Sequence, residues 1–181
     1  MELRKFIATT IREYLNENTQ QKLIAYHGSN VLFDKFDTEK IGSNTDVNVN
    51  GNLNNDKHGF FFTSDFDEAK SSGNVVAKQK GGKPVVYTCE LTFSNPYTWT
   101  DLKTDVGDVE IQNIYDKTDG IGWGVFDSNR DFIIKRCLEL KRDSILFSKS
   151  GIKFIVVFKS SQIKIIDTEI FEIKYSFRDK R

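Results

Sequence analysis

The spacing of apolar and polar positions divides the chain into a helical start, a mixed middle and a strand-rich end. Residues 2–17 place apolar side chains three and four positions apart, with charges on the other face, which predicts an amphipathic helix. A polar linker follows this helix, so we expect it either to pack on the domain or to dock on a partner. The predicted organisation is a helical segment at 1–20 and one domain at 21–181.

The domain is predicted to begin with an apolar strand at residues 23–27, which ends on a His-Gly-Ser corner. A polar, asparagine-rich stretch follows at 38–58. A structureless stretch of this length inside a compact domain is typical of a functional lid or a disordered insertion. It leads into a second short apolar strand at 59–63.

The middle of the chain mixes helices with short strands. Ser64 or Asp65 is the predicted N-cap of a helix, with Glu68 placed for a capping box. The next predicted elements are, in chain order, a strand at 83–91, a turn at 95–99, a helix at 108–117 and a glycine-rich loop at 120–124. A further helix is predicted from Asp127 or Ser128 to Lys141. One side of it carries Phe132, Ile133, Arg136, Cys137 and Leu140. The glycine-rich loop lacks the GxGxxG spacing and follows no strand, so it is not a nucleotide-binding fingerprint.

The end of the chain is predicted to form four strands with tight connections, at 144–147, 153–158, 162–166 and 169–175. Tight connections of this kind favour antiparallel pairing. The fold class predicted from all these elements is α+β with mainly antiparallel sheets.

Composition and charge limit which partners and which cellular compartment we expect for the protein. The 181 residues suit one domain, and 26 basic side chains balance 26 acidic ones, which argues against a dominant nucleic-acid surface. No apolar run approaches the roughly 20 residues that span a bilayer, so we expect no membrane partner. Cys89 and Cys137 are predicted to be buried free thiols. Without a CxxC pair or a signal peptide, they favour a reducing compartment, the cytoplasm.

Several common kinds of site are not predicted. His27 and His58 lie far apart along the chain, as do the two cysteines, so we expect no metal site. Neither GxSxG nor GxxxxGK[ST] occurs. A thiol nucleophile paired with His27 has no local support in the sequence.

Three motifs occur in order along the chain: YHGS at 26–29, HGFFFTSDFDEA at 58–69 and FIVVFKSSQIK at 154–164. Together they resemble the ADP-ribosyltransferase superfamily, in the diphtheria-toxin and poly(ADP-ribose) polymerase branch with its His-Tyr-Glu triad. They are most similar to the compact phage and mobile-element versions found in polyvalent proteins. The resemblance covers roughly residues 22–167. It implies two packed, mainly antiparallel sheets with peripheral helices and a cleft for NAD.

The first motif implies direct contacts to NAD. In the family, the histidine hydrogen-bonds a ribose hydroxyl, and the backbone of the next glycine clasps the nicotinamide carboxamide. The resemblance assigns these roles to His27 and Gly28, with Ser29 assisting. A residue without a Cβ lets the backbone approach a ligand closely.

The second motif implies an aromatic ring that stacks on nicotinamide. The family's tyrosine corresponds to Phe61, which keeps the stacking surface and loses the hydroxyl. Because side chains alternate along a strand, we expect Phe61 to face the cleft and Phe60 and Phe62 to face the core. A second stacking tyrosine has no counterpart, since Ser71 or Ser72 holds its place. The other residues expected to contact NAD are Tyr26, Gly59, Thr63, Ser72, Phe154 and Gln162.

The third motif departs from the family at its glutamate. That position falls on Phe154, or on Lys153 with a one-residue slip, and neither is acidic. A carboxylate there stabilises the positive charge that develops on the ribose as nicotinamide departs, and its loss costs about 10²–10³ in rate. Another acid could fill the role, with Glu110, Asp127 and Asp143 as candidates, or the reaction could proceed without one, as in family branches that lack the glutamate. Otherwise the domain binds NAD, or nothing, without catalysis.

Three functions stay open at this point. The first is a mono-ADP-ribosyltransferase that uses NAD as co-substrate, releases nicotinamide and modifies an unknown acceptor, expected to be a protein. The second is a catalytically silent NAD-binding or virion-cargo module of phage origin, whose N-terminal helix docks on a phage particle or partner protein. Such a protein would act in the host cytoplasm or travel in the particle. The third is an RNA-modifying phosphotransferase of the same superfamily, for which the central arginines are Arg130, Arg136 and Arg142.

Overall fold

A computed structural model gives the architecture and describes residues 20–41, 59–118, 122–149 and 151–173. The strands are β1 (Gln21–Ser29), β2 (Phe60–Thr63), β3 (Val85–Phe93), β4 (Pro96–Thr98), β5 (Ser144–Lys149), β6 (Ile152–Val157) and β7 (Ile163–Ile170). The helices are α1 (Phe66–Lys80), α2 (Trp99–Val106), α3 (Asp108–Thr118) and α4 (Gly122–Glu139), with 3₁₀ helices at Thr38–Lys40 and Ser160–Gln162. The helix predicted at 2–17 and residues 42–58 of the polar stretch lie outside the described residues.

The strands form one seven-stranded sheet in the order β4-β5-β6-β2-β1-β3-β7. Neighbouring strands are antiparallel except β4 and β5, which are parallel. β1 pairs with β3 from Gln21 to Ser29 but with β2 only through Tyr26 and Thr63. The resemblance implies two sheets. In the structure these are the two halves of one sheet, β4-β5-β6-β2 and β1-β3-β7, joined by the single residue pair between β1 and β2. The α+β class is confirmed.

Alternation along the strands gives the sheet two apolar cores. The helix-side core contains Tyr97, Leu102, Ile111, Ile114, Val125, Phe126, Ile133, Cys137, Ile145, Phe147, Phe154 and Val156. The loop-side core contains Ala25, Phe36, Phe60, Phe62, Val85, Tyr87, Cys89, Leu91, Phe93, Ile155 and Val157. Successive residues of β6 thus enter opposite cores. Burial of both cysteines as free thiols is confirmed.

Two glycines bring β1 and α1 into backbone contact. A Cβ at Gly28 would lie 2.0 Å from the carbonyl oxygen of Ala69 and 2.7 Å from the nitrogen of Gly73. A Cβ at Gly73 would lie 3.0 Å from the carbonyl oxygen of Ser29. Because a Cβ at position 28 would overlap backbone atoms, the first of these positions admits only glycine.

The start of α1 combines the predicted N-cap with an unexpected partner. Asp65 is the N-cap, and its Oδ1 accepts a hydrogen bond of 3.0 Å from the backbone N–H of Glu68. The predicted capping box is wrong, because Oε2 of Glu68 accepts a 2.5 Å hydrogen bond from Oγ1 of Thr63 instead. The N–H of Asp65, which a capping box would use, donates to Oγ1 of Thr63 at 3.1 Å.

Residues 95–99 were predicted as a turn, and this is wrong. They contain β4, which pairs with β5, and the first residue of α2, a helix that was not predicted from the sequence. Thr98 caps α2 in a capping box with Asp101. A strand of three residues is too short to show alternation, and an Asn-Pro pair is a common turn signal.

Helix α4 begins earlier than the sequence predicts. It starts at Gly122, inside the predicted glycine-rich loop, and runs to Glu139. Asn129 interrupts it with φ −130° and ψ 19°. Asp127 and Ser128, predicted as N-caps, lie inside the helix instead, so the predicted start is wrong, although the kink at Asn129 follows them directly.

The buried face of α4 is narrower than predicted. Ile133 and Cys137 are buried in the helix-side core, whereas Phe132 and Leu140 are exposed. Arg136 instead binds Asp105 of α2. Residues four apart stack on one helical face, so a stripe centred on 133 and 137 leaves 132 and 140 at its edges.

The remaining strands and the 108–117 helix agree with prediction, with two differences. β1 runs on through the His-Gly-Ser residues that were predicted as a corner. The strand predicted at 162–166 and the start of the one predicted at 169–175 form a single strand, β7, which ends at Ile170, and its register with β3 shifts at a bulge between Thr88 and Cys89. Across the described ranges, no helix has the length and apolar character that a membrane span requires.

Candidate functional site

His27 lies near the end of β1, where β1 and β2 no longer pair. Its Nδ1 is 2.8 Å from the carbonyl oxygen of Phe61 in β2. Since a carbonyl oxygen only accepts hydrogen bonds, Nδ1 carries the proton, and Nε2 of the neutral ring is left as an acceptor. The imidazole therefore bridges the two halves of the sheet and has a fixed tautomer.

Aromatic rings enclose His27 on the loop-side face. The ring centroids of Phe33, Phe36, Phe62 and Tyr87 lie 6.4, 5.1, 5.6 and 6.3 Å from that of the imidazole. Burial lowers the pKa of His27 below its usual 6.5, although the hydrogen bond to Phe61 acts in the opposite direction. His27 is therefore neutral at physiological pH.

A cavity of about 840 Å³ adjoins His27. Its walls come from the end of β1, the segment after it and the start of β2. The lining residues are His27, Ser29, Val31, Phe33, Asp34, Lys35, Phe36, Asp37, Lys40, Ile41, Gly59, Phe60 and Phe61. Small-molecule and cofactor sites typically enclose roughly 300–1,000 Å³ between apolar walls with a few polar groups. The cavity has this size and character.

Tyr87 of β3 fixes the segment that forms one wall of the cavity. Its hydroxyl donates to the carbonyl oxygen of Val31 at 3.0 Å and accepts from the N–H of Phe33 at 2.6 Å. Its ring stacks on that of Phe33, with centroids 4.1 Å apart. Burial raises the pKa of Tyr87, so the hydroxyl stays protonated. Sequence reasoning missed this residue, and the only signal was an aromatic side chain inside an alternating strand.

A comparison with protein-family models decides the family. The model described as ADP-ribosyltransferase in polyvalent proteins matches residues 18–173. The chain belongs to this family. Among solved structures, this ADP-ribosyltransferase domain is similar to the crystal structure of the M. tuberculosis MbcT–MbcA toxin–antitoxin complex, with 10% sequence identity and a TM-score of 0.47 over 90% of this chain and 91% of that one. No curated protein matches the chain.

The structure brings four of the predicted site residues of this ADP-ribosyltransferase domain to the cavity: His27, Ser29, Gly59 and Phe61. Ser29 is buried, and its Oγ accepts from the N–H of Val31 at 3.2 Å. Gly59 has φ +137°, and a Cβ there would lie 2.6 Å from Cγ1 of Val156. Backbone conformation and crowding both require glycine at this position.

Phe61 belongs to the cavity wall and also to the helix-side core. Its ring lies 5.5 Å from that of Phe126 and 6.2 Å from that of Phe154. Phe60 and Phe62 are buried in the loop-side core, as predicted, although Phe60 also lines the cavity. Stacking of Phe61 on nicotinamide stays a prediction.

Gly28 does not line the cavity. The space that its Cβ would occupy is filled by the carbonyl of Ala69, so packing of α1 on β1 accounts for glycine here. Close approach of a ligand was the reason expected from the sequence. The backbone contact of Gly28 with a carboxamide stays a prediction, but the absence of a Cβ no longer argues for it.

Tyr26 and Thr63 also lie away from the cavity, because strand alternation turns their side chains to the face that α1 covers. The ring of Tyr26 meets that of Phe66 edge-on at 5.3 Å. The hydroxyl of Thr63 binds Glu68 at the start of α1. Both residues attach the sheet to α1, and neither is among the residues that line the cavity.

Ser72 and Gln162, also predicted to contact NAD, lie elsewhere. Ser72 is exposed on α1. The Gln162 side chain accepts hydrogen bonds from the N–H groups of Phe158 and Lys159 and donates one to the carbonyl of Asp143. Gln162 therefore fixes the end of β6 to the start of β5.

The third-motif position holds no acid in three dimensions either. Phe154 is buried, and its ring lies 5.7 Å from that of Phe126. Asp143 accepts hydrogen bonds from the N–H groups of Ser94 and Asn95, and Glu110 is exposed on α3, so both lie outside the cavity wall. The side chain of Asp127 lies outside the described residues.

Two other acids, Asp34 and Asp37, do line the cavity, and neither was predicted from the sequence. The available signal was their position in the chain, a few residues after the first motif. Lys35 and Lys40 accompany them, so the wall carries both signs of charge.

The arginines that an RNA phosphotransferase would need hold the helices together instead. Arg136 binds Asp105 with nitrogen–oxygen distances of 2.7 and 2.9 Å, and the guanidinium lowers the pKa of that carboxyl. Arg142 binds Asp101 at 2.6 Å. Neither these two nor Arg130 is among the cavity-lining residues. The described cavity therefore lacks the cluster of arginines that would grip phosphates.

Proposed function

We propose that this domain binds NAD in the cavity beside His27, transfers its ADP-ribose group to an acceptor and releases nicotinamide. The observation that carries the proposal is the fixed tautomer of His27. Its Nδ1–H is held by the carbonyl of Phe61, so Nε2 is available to accept a hydrogen bond. A ribose hydroxyl is a suitable donor, and its contact with His27 would fix the sugar in the cavity.

In the proposed reaction, the bond between ribose C1 and the nicotinamide nitrogen breaks, and its electron pair leaves with nicotinamide. An acceptor nucleophile then forms a bond to C1, and its proton passes to solvent. His27 orients the ribose through Nε2. Holding the sugar and the acceptor in line accelerates the reaction by positioning, which requires no charged side chain.

The pyridine ring of NAD is proposed to lie against Phe61, with its carboxamide toward Gly28 and Ser29. Phe61 and Ser29 are both among the residues that line the cavity, and the ring of Phe61 also packs against Phe126. Stacking on an aromatic ring is worth about 0.5–1.5 kcal/mol beyond the area buried. This part of the proposal orients the leaving group.

We propose a protein as the acceptor and the host cytoplasm, or a phage particle, as the place of action. The family match to domains of polyvalent proteins supports a mobile-element origin. The amphipathic helix predicted from the sequence within residues 1–20 is proposed to dock the domain on such a particle or on a partner protein. Removal of residues 1–20 should then abolish association with the partner and leave NAD binding intact.

Release of nicotinamide from NAD by the pure protein tests the proposal. His27→Asn keeps a side-chain donor for the carbonyl of Phe61 but removes the imidazole acceptor. We expect it to lose NAD binding and nicotinamide release. Asp131→Asn, an exposed change on α4, is the control and should behave as wild type. Equal turnover by wild type and His27→Asn would contradict the proposal.

A second candidate is a domain that binds NAD without cleaving it. Phe154, an apolar residue at the family's glutamate position, favours this candidate. The two candidates differ in one result. A silent domain would bind NAD and lose that binding in His27→Asn, but it would release no nicotinamide with any acceptor.

A further inference from the structure

The proposed reaction needs negative charge close to the ribose, and the third motif cannot supply it. As nicotinamide leaves, positive charge builds on C1 and the ring oxygen of the sugar, and a nearby carboxylate stabilises it. Phe154 occupies the expected position and is packed between the rings of Phe126 and Phe147, at 5.7 and 6.2 Å. If a carboxylate serves the reaction, it comes from another part of the cavity wall.

Asp34 and Asp37 are the carboxylates among the residues that line the cavity. Asp37 is already engaged, because its Oδ1 accepts a 3.0 Å hydrogen bond from the N–H of Glu39 as the N-cap of the 3₁₀ helix Thr38–Lys40. Within the described ranges, the Asp34 carboxylate has neither a hydrogen bond nor an ion pair. Asp34 is exposed at the cavity wall, and both of its carboxylate oxygens can accept from a ligand hydroxyl, whereas one oxygen of Asp37 is already used by the cap.

The position of Asp34 is tied to His27 through its neighbours. Phe33 and Phe36, on either side of Asp34 in the chain, both have ring contacts with the imidazole. Phe33 is anchored by the hydroxyl of Tyr87, and the charge of Asp34 contributes to the raised pKa of Tyr87. Asp34 therefore projects from a segment that is fixed against the same aromatic cluster as His27.

We infer that Asp34 is the carboxylate that this domain uses in place of the third-motif glutamate, acting with His27 on the nicotinamide ribose. This inference rests on the proposed function. The sugar presents two neighbouring hydroxyls, which are donors. Nε2 of His27 accepts from one hydroxyl, and the carboxylate of Asp34 accepts from the other and faces the developing positive charge. Asp34 forms no covalent bond in the reaction, so the electron balance is unchanged.

Substitution of Asp34 by Asn removes the negative charge but keeps a hydrogen-bond acceptor, because the amide oxygen still accepts from a hydroxyl. We expect D34N to bind NAD with affinity close to wild type and to release nicotinamide about 10²–10³ times more slowly. D34E, which restores the charge, should recover part of the rate. D131N makes the same chemical change on the exposed face of α4 and should match wild type.

Nicotinamide release under saturating NAD and calorimetric affinity for NAD are the two measurements. Slow release by D34N at preserved affinity, with partial recovery in D34E, supports the role of Asp34. Wild-type release by D34N overturns it and leaves the proposed transferase function intact. If wild type itself binds no NAD, the proposed function fails and the inference fails with it. If wild type binds NAD but releases no nicotinamide, Asp34 does not supply the missing charge.

Discussion

The imidazole of His27 donates from Nδ1 to the main-chain carbonyl of Phe61, across 2.8 Å, at the place where β1 and β2 separate. One side chain thereby holds the two halves of the sheet together next to the cavity. The same hydrogen bond selects the tautomer that leaves Nε2 as an acceptor. A structural role and a proposed ligand-binding role therefore meet in one residue, and its protonation should affect both.

Stability should fall on acidification because of His27. Its pKa in the folded protein is below the ordinary 6.5, so the unfolded chain binds protons more readily. The free energy of unfolding should therefore decrease as pH falls below about 6.5, until the folded-state pKa is passed. Urea unfolding of wild type and His27→Asn at a series of pH values measures this. The variant should lack this component of the decrease, and equal slopes would count against burial of a neutral imidazole.

Gly28→Ala should destabilise the fold through α1. The new methyl group would overlap the carbonyl of Ala69, and overpacking of this kind costs about 1–3 kcal/mol or more. Chemical denaturation gives the change in the free energy of unfolding. Ser71→Ala, at an exposed position of α1, provides the control. Wild-type stability of the Gly28→Ala protein would show that β1 and α1 do not pack as closely as described.

Tyr87→Phe should weaken both the fold and ligand binding. It removes the hydroxyl that bonds the carbonyl of Val31 and the N–H of Phe33, and loss of a buried partner typically costs about 1–3 kcal/mol. Because these bonds shape the cavity wall, NAD affinity should fall as well. Thermal unfolding and calorimetry report the two effects. If the Tyr87→Phe protein unfolds earlier yet binds NAD normally, the role of Tyr87 is confined to structure.

The two thiols should be inert in the native protein. Burial raises the pKa values of Cys89 and Cys137 to about 12 each, so the thiolate is scarce at neutral pH. A chromogenic disulfide reagent at pH 7.5 should label neither cysteine until denaturant is added. Rapid labelling of native protein would reopen the possibility of a thiol nucleophile, for which the sequence offers no local support.

Local patterns were enough to predict much of the framework. Alternation in β2 placed Phe60 and Phe62 in the core, and capping chemistry narrowed the start of α1 to Ser64 or Asp65, of which Asp65 is the N-cap. The three-residue strand β4 was missed, because pairing with β5 rather than its own sequence makes it a strand. β7 was divided at polar residues, although a bulge in its pairing with β3 lets it continue.

The candidate site was harder to predict than the framework. Motif order identified His27, Ser29, Gly59 and Phe61, which the fold does bring to one cavity. Asp34 lies outside all three motifs, so its place in the cavity lining becomes visible only in the fold. The packing of α1 against Gly28, which by itself requires glycine there, could not be seen in the sequence.

Calorimetric titration of NAD into wild type and His27→Asn tests the central claim most directly, namely that the cavity beside His27 is a site for the nicotinamide end of NAD. The account predicts one saturable site in wild type, competition by free nicotinamide, and loss of binding in the variant. Absence of binding to wild type, or equal binding to both proteins, would contradict it.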